Sequence, residues 1–387
     1  MERIDRRDFL KKASWGALGA GVLMSGIRDL AFPPTLFAAG PATAGSLEYR
    51  TLGRTGLKIT PISFGAMRTD EPAVIRRAFD MGINYFDTAD CYMNGRNEKI
   101  LGEALKGVRD KVYIATKVHN AEGQSKKDMQ ESIDRSLRSL NTDYIDVMQL
   151  HNKTDEAGVL DPMAIEVLSE YKKAGKIRFT GVTTHENMAA VVDAAIKSGF
   201  YDMALVAYSF KSEADVAESF ARATAAGLGI VAMKTQAGGY ETKEMGELSP
   251  HQAALRWVLD DKNVAAAIPS MINFDQLEEN FKVMGTKVGW SDRKTLNRYA
   301  RAIDKRYCRR CGKCVATCPQ NAHIPALNRM VMYAEGYKDA RLARERFAVE
   351  RCDRQLGKCA SCGACAAKCV HGIDIAANIK KVRALIA

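Results

Sequence analysis

Short apolar runs alternate with amphipathic stretches along most of this chain. Each apolar run is five to seven residues long, a length typical of a buried strand. Between the runs, apolar residues recur at helical spacing, for instance in Lys126–Leu140 and Met163–Lys173. The pattern predicts eight strands, at Ile62–Ala66, Ile83–Thr88, Val112–Val118, Tyr144–Leu150, Ile177–Val182, Ala204–Ser209, Gly229–Met233 and Ala265–Pro269.

Eight strand–helix units in about 240 residues have the length of a closed parallel barrel. We therefore predict an α/β fold, a (β/α)8 TIM barrel. A doubly wound open sheet is the alternative, but no GxGxxG motif opens the first helix. A polar and apolar alternation over Glu48–Thr60, broken at Gly53 and Gly56, predicts a β-hairpin ahead of the barrel.

Cysteines are concentrated beyond the barrel. Nine of the ten lie after residue 307, and eight of these form two runs with the spacing C-x2-C-x2-C-x3-C. In such runs three thiolates bind one iron–sulfur cube and the offset fourth binds the cube of the other run. Two [4Fe–4S] clusters are thus predicted, one on Cys308, Cys311, Cys314 and Cys369, the other on Cys359, Cys362, Cys365 and Cys318.

Two other uses of these cysteines fit the spacing less well than the clusters do. A zinc site takes only four ligands, so two runs of four exceed it. Disulfides are disfavoured because cysteines so closely spaced are poorly placed to pair within their own run. Cys352 is expected to be a buried free thiol, with substitution as a cluster ligand as the alternative, and Cys91 is expected to be a packing residue.

The two cysteine runs also mark an internal repeat. Ile324 lies six residues beyond Cys318, and Ile375 lies six residues beyond Cys369. The insert Met330–Cys352 has the composition of a helix. The segment 291–307 is charged and compatible with a helical connector. A small α-helical, ferredoxin-like domain is therefore predicted for residues 308–387, after a barrel domain at 45–290.

Charge is distributed unevenly. The formal net charge is +11, of which residues 308–387 carry +9 and residues 1–44 carry +2, so the barrel region is neutral. A basic segment often indicates nucleic-acid binding. Here thiolate-bound clusters would offset the charge, and the basic surface would suit an acidic redox-partner protein. We expect no nucleic-acid partner.

The first 44 residues have the pattern of a targeting signal. Asp5–Lys11 contains a twin arginine followed by Phe-Leu-Lys, and the uncharged run Ala13–Ile27 comes next. That run is shorter than the roughly 20 apolar residues of a membrane span. Ala42–Ala44 offers a small-x-small cleavage site. Residues 1–44 are predicted to be a twin-arginine signal peptide of a periplasmic or otherwise exported protein with no stable membrane span; a chance Arg-Arg before an amphipathic helix is the alternative.

Four polar residues follow consecutive barrel strands, where barrel enzymes carry their chemistry. They are Asp87, Tyr92, Lys117 and His151. Alone, each has a structural explanation, such as a strand cap or a hydrogen-bonded core histidine. Together they form an acid–base set in which Lys117, held by Asp87, lowers the pKa of Tyr92. Tyr92 then protonates a carbonyl oxygen and His151 orients it.

These residues occur in segments that resemble the aldo-keto reductase superfamily. The segments are Phe86–Tyr92, Asn97-Glu98, Leu101-Gly102, Ala115–Lys117, Gln149–His151, Ala232–Lys234 and Ile268–Ser270. The resemblance covers roughly residues 48–285 and implies a TIM-barrel reductase that uses NADP(H), with the four residues above as its catalytic tetrad. It also implies nucleotide contacts at Tyr208, Lys234, Ser270, Gln276, Glu279 and Asn280.

The sequence departs from that family at the nucleotide. Leu205 stands where the family has a glutamine, and Met271–Asn273 stands where many members place a cation for the 2′-phosphate. The sequence therefore leaves three possibilities for the cofactor: NADP, NAD, or no free nicotinamide nucleotide. The cysteine runs are similar to those of α-helical two-cluster ferredoxins.

The sequence thus predicts an exported oxidoreductase that interconverts a small-molecule carbonyl and an alcohol and exchanges electrons through its clusters. One alternative is an electron-transfer or redox-partner module whose barrel is a docking scaffold. Another makes the clusters purely structural. Nicotinamide transfers two electrons as hydride, whereas each cluster transfers one, and no flavin site is evident in the sequence.

Overall fold

Eight parallel strands form the centre of the molecule in a computed structural model, which describes residues 47–120, 123–241 and 249–387. A short antiparallel hairpin, β1 (Arg50–Thr51) with β2 (Lys58–Ile59), precedes them. The parallel strands are β3 Phe64–Gly65, β4 Tyr85–Asp87, β5 Tyr113–Val118, β6 Ile145–Leu150, β7 Ile177–Thr184, β8 Met203–Ala207, β9 Gly229–Met233 and β10 Val264–Ala267. Each pairs with its neighbours in chain order, from β3 through to β10.

The last strand and the residues that follow it pair with the first strand and the residues that precede it, which closes the barrel. Ser63 N donates to Ala267 O at 2.9 Å, and Ala267 N donates to Pro61 O at 2.8 Å. A parallel bridge joins Gly65 to Ser270. Strictly sequential pairing with closure excludes the doubly wound sheet and confirms the predicted barrel.

The hairpin covers the N-terminal end of the barrel. Its turn brings Gly53, at φ +48°, so close to Gly229 that a Cβ on Gly53 would lie 2.3 Å from Gly229 N. Leu52, Leu57 and Ile59 from this hairpin are buried with apolar side chains from the barrel interior. The predicted hairpin is therefore present. Its strands are shorter than the polar and apolar alternation over Glu48–Thr60 suggested, because the turn residues pack on the barrel.

Helices surround the barrel and continue into the C-terminal region. They are α1 Pro72–Asp80, α2 Asn97–Ala104, α3 Lys126–Leu140, α4 Glu156–Val159, α5 Pro162–Lys173, α6 Met188–Ser198, α7 Ala214–Ala225, α8 Pro250–Asp260, α9 Phe274–Phe281, α10 Trp290–Ile303, α11 Ile324–Val331, α12 Ala340–Val349, α13 Cys352–Lys358 and α14 Ile375–Ile386. Local signals set several starts: Ser125 caps α3 in a reciprocal capping box, and proline occupies the first turn of α1, α5 and α8.

The region after residue 307 is helical, as predicted. A π-helical turn, Met332–Gly336, joins α11 to the loop before α12. The internal repeat is also visible: Ile324 begins α11, Ile375 begins α14, and both side chains pack with Cys314. These helices share one apolar core with the loop after β9, through Ala237 and Tyr240.

The predicted signal segment 1–44 lies outside the described residues. Gly45–Ala387 forms one compact unit. Within the described part of the chain, none of the helices has the length and apolar character that a bilayer crossing requires.

Candidate active site and cysteine clusters

The end of β4 and the end of β5 hold a buried ion pair. Lys117 Nζ donates to Asp87 Oδ1 at 2.5 Å and to Thr88 O at 2.5 Å. Gln149, from β6, donates to the other oxygen of Asp87 at 2.9 Å. Lys117 is 1% exposed, so this pair depends on its full set of hydrogen bonds.

Tyr92 lies over this pair, on a loop that the barrel holds firmly. Its ring centroid is 4.8 Å from Lys117 Nζ. The next residue, Met93, has a left-handed backbone at φ 52°, a conformation that costs free energy for an L side chain. Asn97 anchors this loop by accepting from Thr88 Oγ1 at 2.6 Å and donating to Ala66 O at 2.9 Å.

The expected net lowering of the pKa of Tyr92 is wrong in this structure. Burial raises the pKa of Tyr92 well above 10, and the charge of Asp87 adds to the rise. Lys117 does not overcome this rise, because its charge is offset by Asp87, to which it donates, and it also donates to Thr88 O. Of the nearby cations it is Arg346, from α12, that opposes the rise.

His151 completes the predicted set at the end of β6. Its ring lies edge-on to Tyr92 with centroids 6.1 Å apart. Burial lowers the pKa of His151 well below 6.5, and the neighbouring His119 and Lys117 lower it further. The imidazole is therefore neutral at physiological pH and has one N–H to donate. All four predicted catalytic residues meet at the C-terminal end of the barrel.

Four side chains beside Tyr92 come within metal-ligand spacing of one another. Asp90, Cys91, His119 and His151 each offer an atom within 4.8 Å of the others. However, Arg346 Nη1 donates to Cys91 Sγ at 3.3 Å, which places a fixed cation against the only sulfur ligand. The arrangement fits a hydrogen-bonded network better than a metal site.

A cavity extends from Tyr92 and Asp87 across the ends of β9 and β10. Two of the predicted nucleotide-binding residues, Lys234 and Ser270, line it. Asn280, on α9, reaches the same wall by accepting from Gln236 Nε2 at 3.1 Å. The other two predicted nucleotide-binding residues on this helix, Gln276 and Glu279, do not line the cavity. Gln276 Oε1 accepts from Ile272 N at 3.1 Å, and Glu279 is half-buried, with its backbone carbonyl accepting from Gln252.

The nucleotide contact implied for Tyr208 is wrong. Its ring packs between Phe220 and Trp257, with centroids 4.8 and 5.2 Å away, and its hydroxyl donates to Asp261 at 3.2 Å. Tyr208 therefore lies in the layer between the strands and the helices, because side chains alternate along β8 and its continuation. Leu205, two residues inside β8, is buried in the barrel interior.

The C-terminal helices contribute a group of buried charges that sequence reasoning missed. Arg346 also donates to Glu350 Oε1, at 3.3 Å from Nε and 3.2 Å from Nη2. Arg329, on α11, pairs closely with Glu350 and lies 3.8 Å from Glu186, which follows β7. Arg310 Nη1 donates to His185 O at 3.2 Å. The only signal in the sequence was the excess of basic residues after position 307.

The eight cysteines fall into the two predicted sets. The pKa of Cys314 is raised to about 12, by burial first and then by the charges of Cys308, Cys369 and Cys311. The pKa of Cys359 is raised by burial and by Cys318, Cys362 and Cys365. The four thiols of the second set also line one cavity. Each set draws three thiols from one run and the fourth from the other, which fits the ligand demand of a [4Fe–4S] cube.

Cys352 lies apart from both sets. It is fully buried in the apolar core of the C-terminal helices, and burial raises its pKa to about 12. None of the ten cysteines forms a disulfide. The structure thus places Cys352 as a packing residue, in agreement with the sequence.

Two family models match the chain. The model described as the aldo/keto reductase family matches residues 61–247, and that described as a 4Fe-4S dicluster domain matches residues 307–373. The first match contains every strand from β3 to β9 and all four predicted catalytic residues. The second contains all eight predicted cluster cysteines.

Known proteins resemble the barrel part. The chain is 36% identical over 152 residues to an uncharacterised oxidoreductase, YqkF, of Bacillus subtilis, covering 36% of this chain and 49% of that protein. It is 38% identical over 156 residues to L-galactose dehydrogenase of Arabidopsis thaliana, covering 35% and 48%. This chain therefore spans about half the length of these curated relatives.

A solved structure matches more completely. The aldo-keto reductase AKR11C1 from Bacillus halodurans, in its holo form, superposes with a TM-score of 0.57 at 27% identity, covering 65% of this chain and 96% of that one. Barrel, tetrad and cysteine sets agree with these matches. Residues 61–247 therefore match the aldo/keto reductase family, and residues 307–373 match a 4Fe-4S dicluster domain.

Proposed function

We propose that this chain is an oxidoreductase that interconverts a carbonyl compound and an alcohol with a nicotinamide nucleotide, and exchanges electrons through two [4Fe–4S] clusters. The observation that carries the proposal is the meeting of Tyr92, Lys117, Asp87 and His151 beside one cavity. An acid, its supporting cation and a neutral hydrogen-bond donor are what carbonyl reduction requires of the protein.

The cavity residues fit a nicotinamide nucleotide. Met233, Gln236 and Ser270 line it next to Tyr92, and Asn280 lies behind Gln236. The nucleotide, when bound, supplies hydride to the carbonyl carbon. Ile272 stands where many family members have a cation for the 2′-phosphate, so this position does not select NADP over NAD, and the proposal includes both nucleotides.

Tyr92 donates the proton in reduction. Its raised pKa keeps the phenol protonated at neutral pH, so the group enters the reaction as an acid. When the phenol gives its proton to the carbonyl oxygen, the charges of Lys117 and Arg346 stabilise the phenolate left behind. His151, neutral, donates a hydrogen bond to the same oxygen, and alcohol oxidation reverses these steps.

The cysteine sets would hold the clusters, with Cys308, Cys311, Cys314 and Cys369 on one and Cys359, Cys362, Cys365 and Cys318 on the other. Each cluster supplies one-electron chemistry. Two clusters take two electrons between them, the number that one hydride carries. The excess of basic residues in this region supports an acidic redox-partner protein.

One observation favours the second candidate, an electron-transfer module whose barrel is a scaffold. The π-helical turn closes tightly over the loop after β9: a Cβ on Gly336 would lie 2.3 Å from Gly238 O. Tyr337, which follows that turn, lines the cavity with Tyr92. In this candidate the C-terminal region fills the space in which a nucleotide would otherwise bind.

Titration of the cluster-loaded protein with NADPH and with NADH separates the two. The reductase proposal expects a change in nicotinamide fluorescence that saturates, together with oxidation of the nucleotide when an aldehyde is added. Unchanged fluorescence with both nucleotides contradicts it and leaves the scaffold candidate.

Export through the twin-arginine route is also part of the proposal. It is supported by the Arg6-Arg7 pattern and by the need to insert iron–sulfur clusters before a folded protein is exported. Changing both arginines to lysine is expected to retain the protein in the cytoplasm. Fractionation that finds the unchanged chain in the cytoplasm contradicts this prediction.

A further inference from the structure

The two cysteine sets lie in different surroundings. The first set consists of Cys308, Cys311, Cys314 and Cys369. Arg310, between two of these cysteines in the chain, donates from Nη1 to the carbonyl of His185 beyond β7, at 3.2 Å. His371 Nε2 lies 3.8 Å from Cys311 Sγ and 3.3 Å from an oxygen of Glu213, which precedes α7. The first set therefore lies on the side of the C-terminal region that contacts the barrel.

The second set faces away from the barrel. It consists of Cys318, Cys359, Cys362 and Cys365. These four thiols line one cavity, and all of the described residues that line it lie between positions 318 and 383. Cys365 is exposed, whereas the other seven cysteines of the two sets are buried or half-buried. A cluster held by the second set is therefore the one that another protein can approach.

Cations surround the second set. Lys358, Lys380 and Arg383 line its cavity together with the four thiols. Lys368 lies between two of the cluster cysteines in the chain, and its backbone N donates to Thr317 Oγ1 at 2.9 Å, which joins the two cysteine runs. The three lysines are exposed, and in the described part of the chain none of them forms an ion pair. Their charges are thus available to carboxylates of another molecule.

The composition of this surface fits a protein partner better than a nucleic acid. Residues 351–387 contain seven lysines and arginines, two aspartates and no Phe, Tyr or Trp. Sites for single-stranded nucleic acid use aromatic rings on which the bases stack. Val370, in the same loop as Lys368, is instead 62% exposed. An exposed apolar side chain among charged neighbours is what the surface of a protein interface contains.

We propose that the exposed surface around the second set is the docking surface for an acidic electron-transfer protein, and that the first set connects the second set with the barrel. Lys358, Lys368, Lys380 and Arg383 attract carboxylates of that protein, and Val370 packs at the contact. One electron at a time leaves the reduced second cluster and reduces the docked protein, and no atom is transferred. The inference rests on the proposed function in so far as both sets hold clusters.

Calorimetric titration of the oxidised, cluster-loaded protein with oxidised flavodoxin, an acidic protein, tests docking without electron transfer. Wild type is expected to bind flavodoxin, and added salt should weaken the binding. The double variant Lys368→Gln, Lys380→Gln should bind about 3- to 10-fold more weakly. The matched control is Lys106→Gln, Lys111→Gln, which removes the same charge from exposed positions before β5, at the N-terminal end of the barrel, and should bind as wild type does.

Three calorimetric results overturn the proposal. They are no binding of flavodoxin by wild type, equal weakening in the two double variants, and tighter binding of a DNA oligonucleotide than of flavodoxin. The last result would assign the basic surface to a nucleic acid.

Oxidation by small ions tests whether the lysines act on an incoming electron acceptor. The dithionite-reduced protein is mixed with ferricyanide, an anion, or with hexaammineruthenium(III), a cation, and cluster absorption is followed by stopped flow. A change in cluster potential alters both rates in the same direction, so the ratio of the rates reports the surface charge. Lys368→Gln, Lys380→Gln should lower the rate with ferricyanide relative to the cation by about 2- to 5-fold. An unchanged ratio would mean that the lysines only offset the charge of the cluster, and it overturns the proposal.

Loss of one cluster tests the order of the two. Cys318→Ser removes a ligand of the second set, so ferricyanide should oxidise the remaining cluster more slowly than it oxidises wild type. Cys369→Ser removes a ligand of the first set and should keep the fast rate. The reverse result places the first set at the surface and overturns the proposal. Fast, charge-dependent oxidation in a protein that reduces no aldehyde supports the docking surface and contradicts the proposed function.

Discussion

The barrel and the C-terminal helices hold their functional groups in opposite ways. In the barrel, strand ends and a closed set of hydrogen bonds fix Asp87, Lys117 and Gln149, and the region is neutral in net charge. In the C-terminal region, residues 308–387 carry a net charge of +9, and their cysteines form two groups of four thiols that could bind a cluster. In the barrel, the backbone of the strands positions the catalytic side chains. In the C-terminal region, a bound cluster would have to hold the cysteine side chains together.

The two regions should therefore respond differently to substitution. Removing one functional atom from a barrel side chain should lower the catalytic activity and leave the fold unchanged, because the backbone keeps the other groups in place. Removing one cysteine should disturb the C-terminal region, because few other contacts fix the thiols. The buried charges around Glu350 join the two regions, so changes there should affect both.

The largest effect is expected from Tyr92→Phe. Loss of the proton donor should lower carbonyl reduction by about 10²- to 10⁴-fold, and the visible spectrum of the clusters should stay unchanged. Steady-state kinetics with the absorption spectrum measures both. Tyr208→Phe is the control, because its hydroxyl lies in the strand–helix layer and should leave the rate as it is. Activity retained in Tyr92→Phe would remove Tyr92 from the mechanism.

Single cysteine substitutions test the C-terminal region. Cys369→Ser and Cys318→Ser are each expected to destabilise one cluster, so iron should fall from about eight atoms per chain toward four. Cys352→Ala should leave iron content unchanged, since Cys352 is buried in an apolar core away from both sets. Iron analysis and EPR measure these outcomes. Full iron in Cys369→Ser, or lost iron in Cys352→Ala, contradicts the assignment.

Arg346→Gln breaks the connection between the regions. It leaves Glu350 with one arginine and removes the cation nearest Cys91, so we expect about 3–5 kcal/mol lower stability. The alkaline limb of the pH–rate profile should also move upward, because Arg346 opposes the rise in the pKa of Tyr92. Chemical denaturation and kinetics measure the two effects. Arg344→Gln, on the exposed side of the same helix, should change neither; an unaltered Arg346→Gln protein would show that the regions are independent.

The smallest effect concerns acid stability at the junction. Burial, and then the charge of Arg310, lower the pKa of His185 well below 6.5, so the unfolded chain binds a proton that the folded chain does not. Above pH 6.5 both states are neutral and His185 contributes no pH dependence. Below that pH, stability should fall by about 1.4 kcal/mol per pH unit for this group. His185→Asn should show a shallower loss between pH 6.5 and 5.5; equal slopes would place His185 in solvent.

Much of the barrel could be predicted because its signals are local. Strand runs and helical periodicity located β3 to β10 to within about three residues, and the same register placed Asp87, Lys117 and His151 at one end. Cysteine spacing likewise predicted the two thiol sets. Tyr208 was misplaced because side-chain direction after β8 depends on how the chain leaves the strand. Arg310, Arg329 and Arg346 were missed because their partners in the barrel region, His185, Glu186 and Cys91 respectively, lie more than a hundred residues away in the chain.

The Tyr92 prediction failed for a related reason. Its chemistry was inferred from the residue types alone, which suggest that an ammonium lowers a phenol pKa. The structure adds two facts that sequence does not contain, namely that Lys117 is fully paired and that the ring is buried. Together these reverse the direction of the shift.

If the barrel and the clusters form one redox unit, a reduced nucleotide should reduce the clusters. The direct test is anaerobic addition of NADPH or NADH to the oxidised, cluster-loaded protein, followed by EPR. The expected result is the signal of reduced [4Fe–4S] clusters, rising with nucleotide to at most about two spins per chain. A spectrum that stays silent with both nucleotides, in a protein whose clusters dithionite reduces, would contradict it.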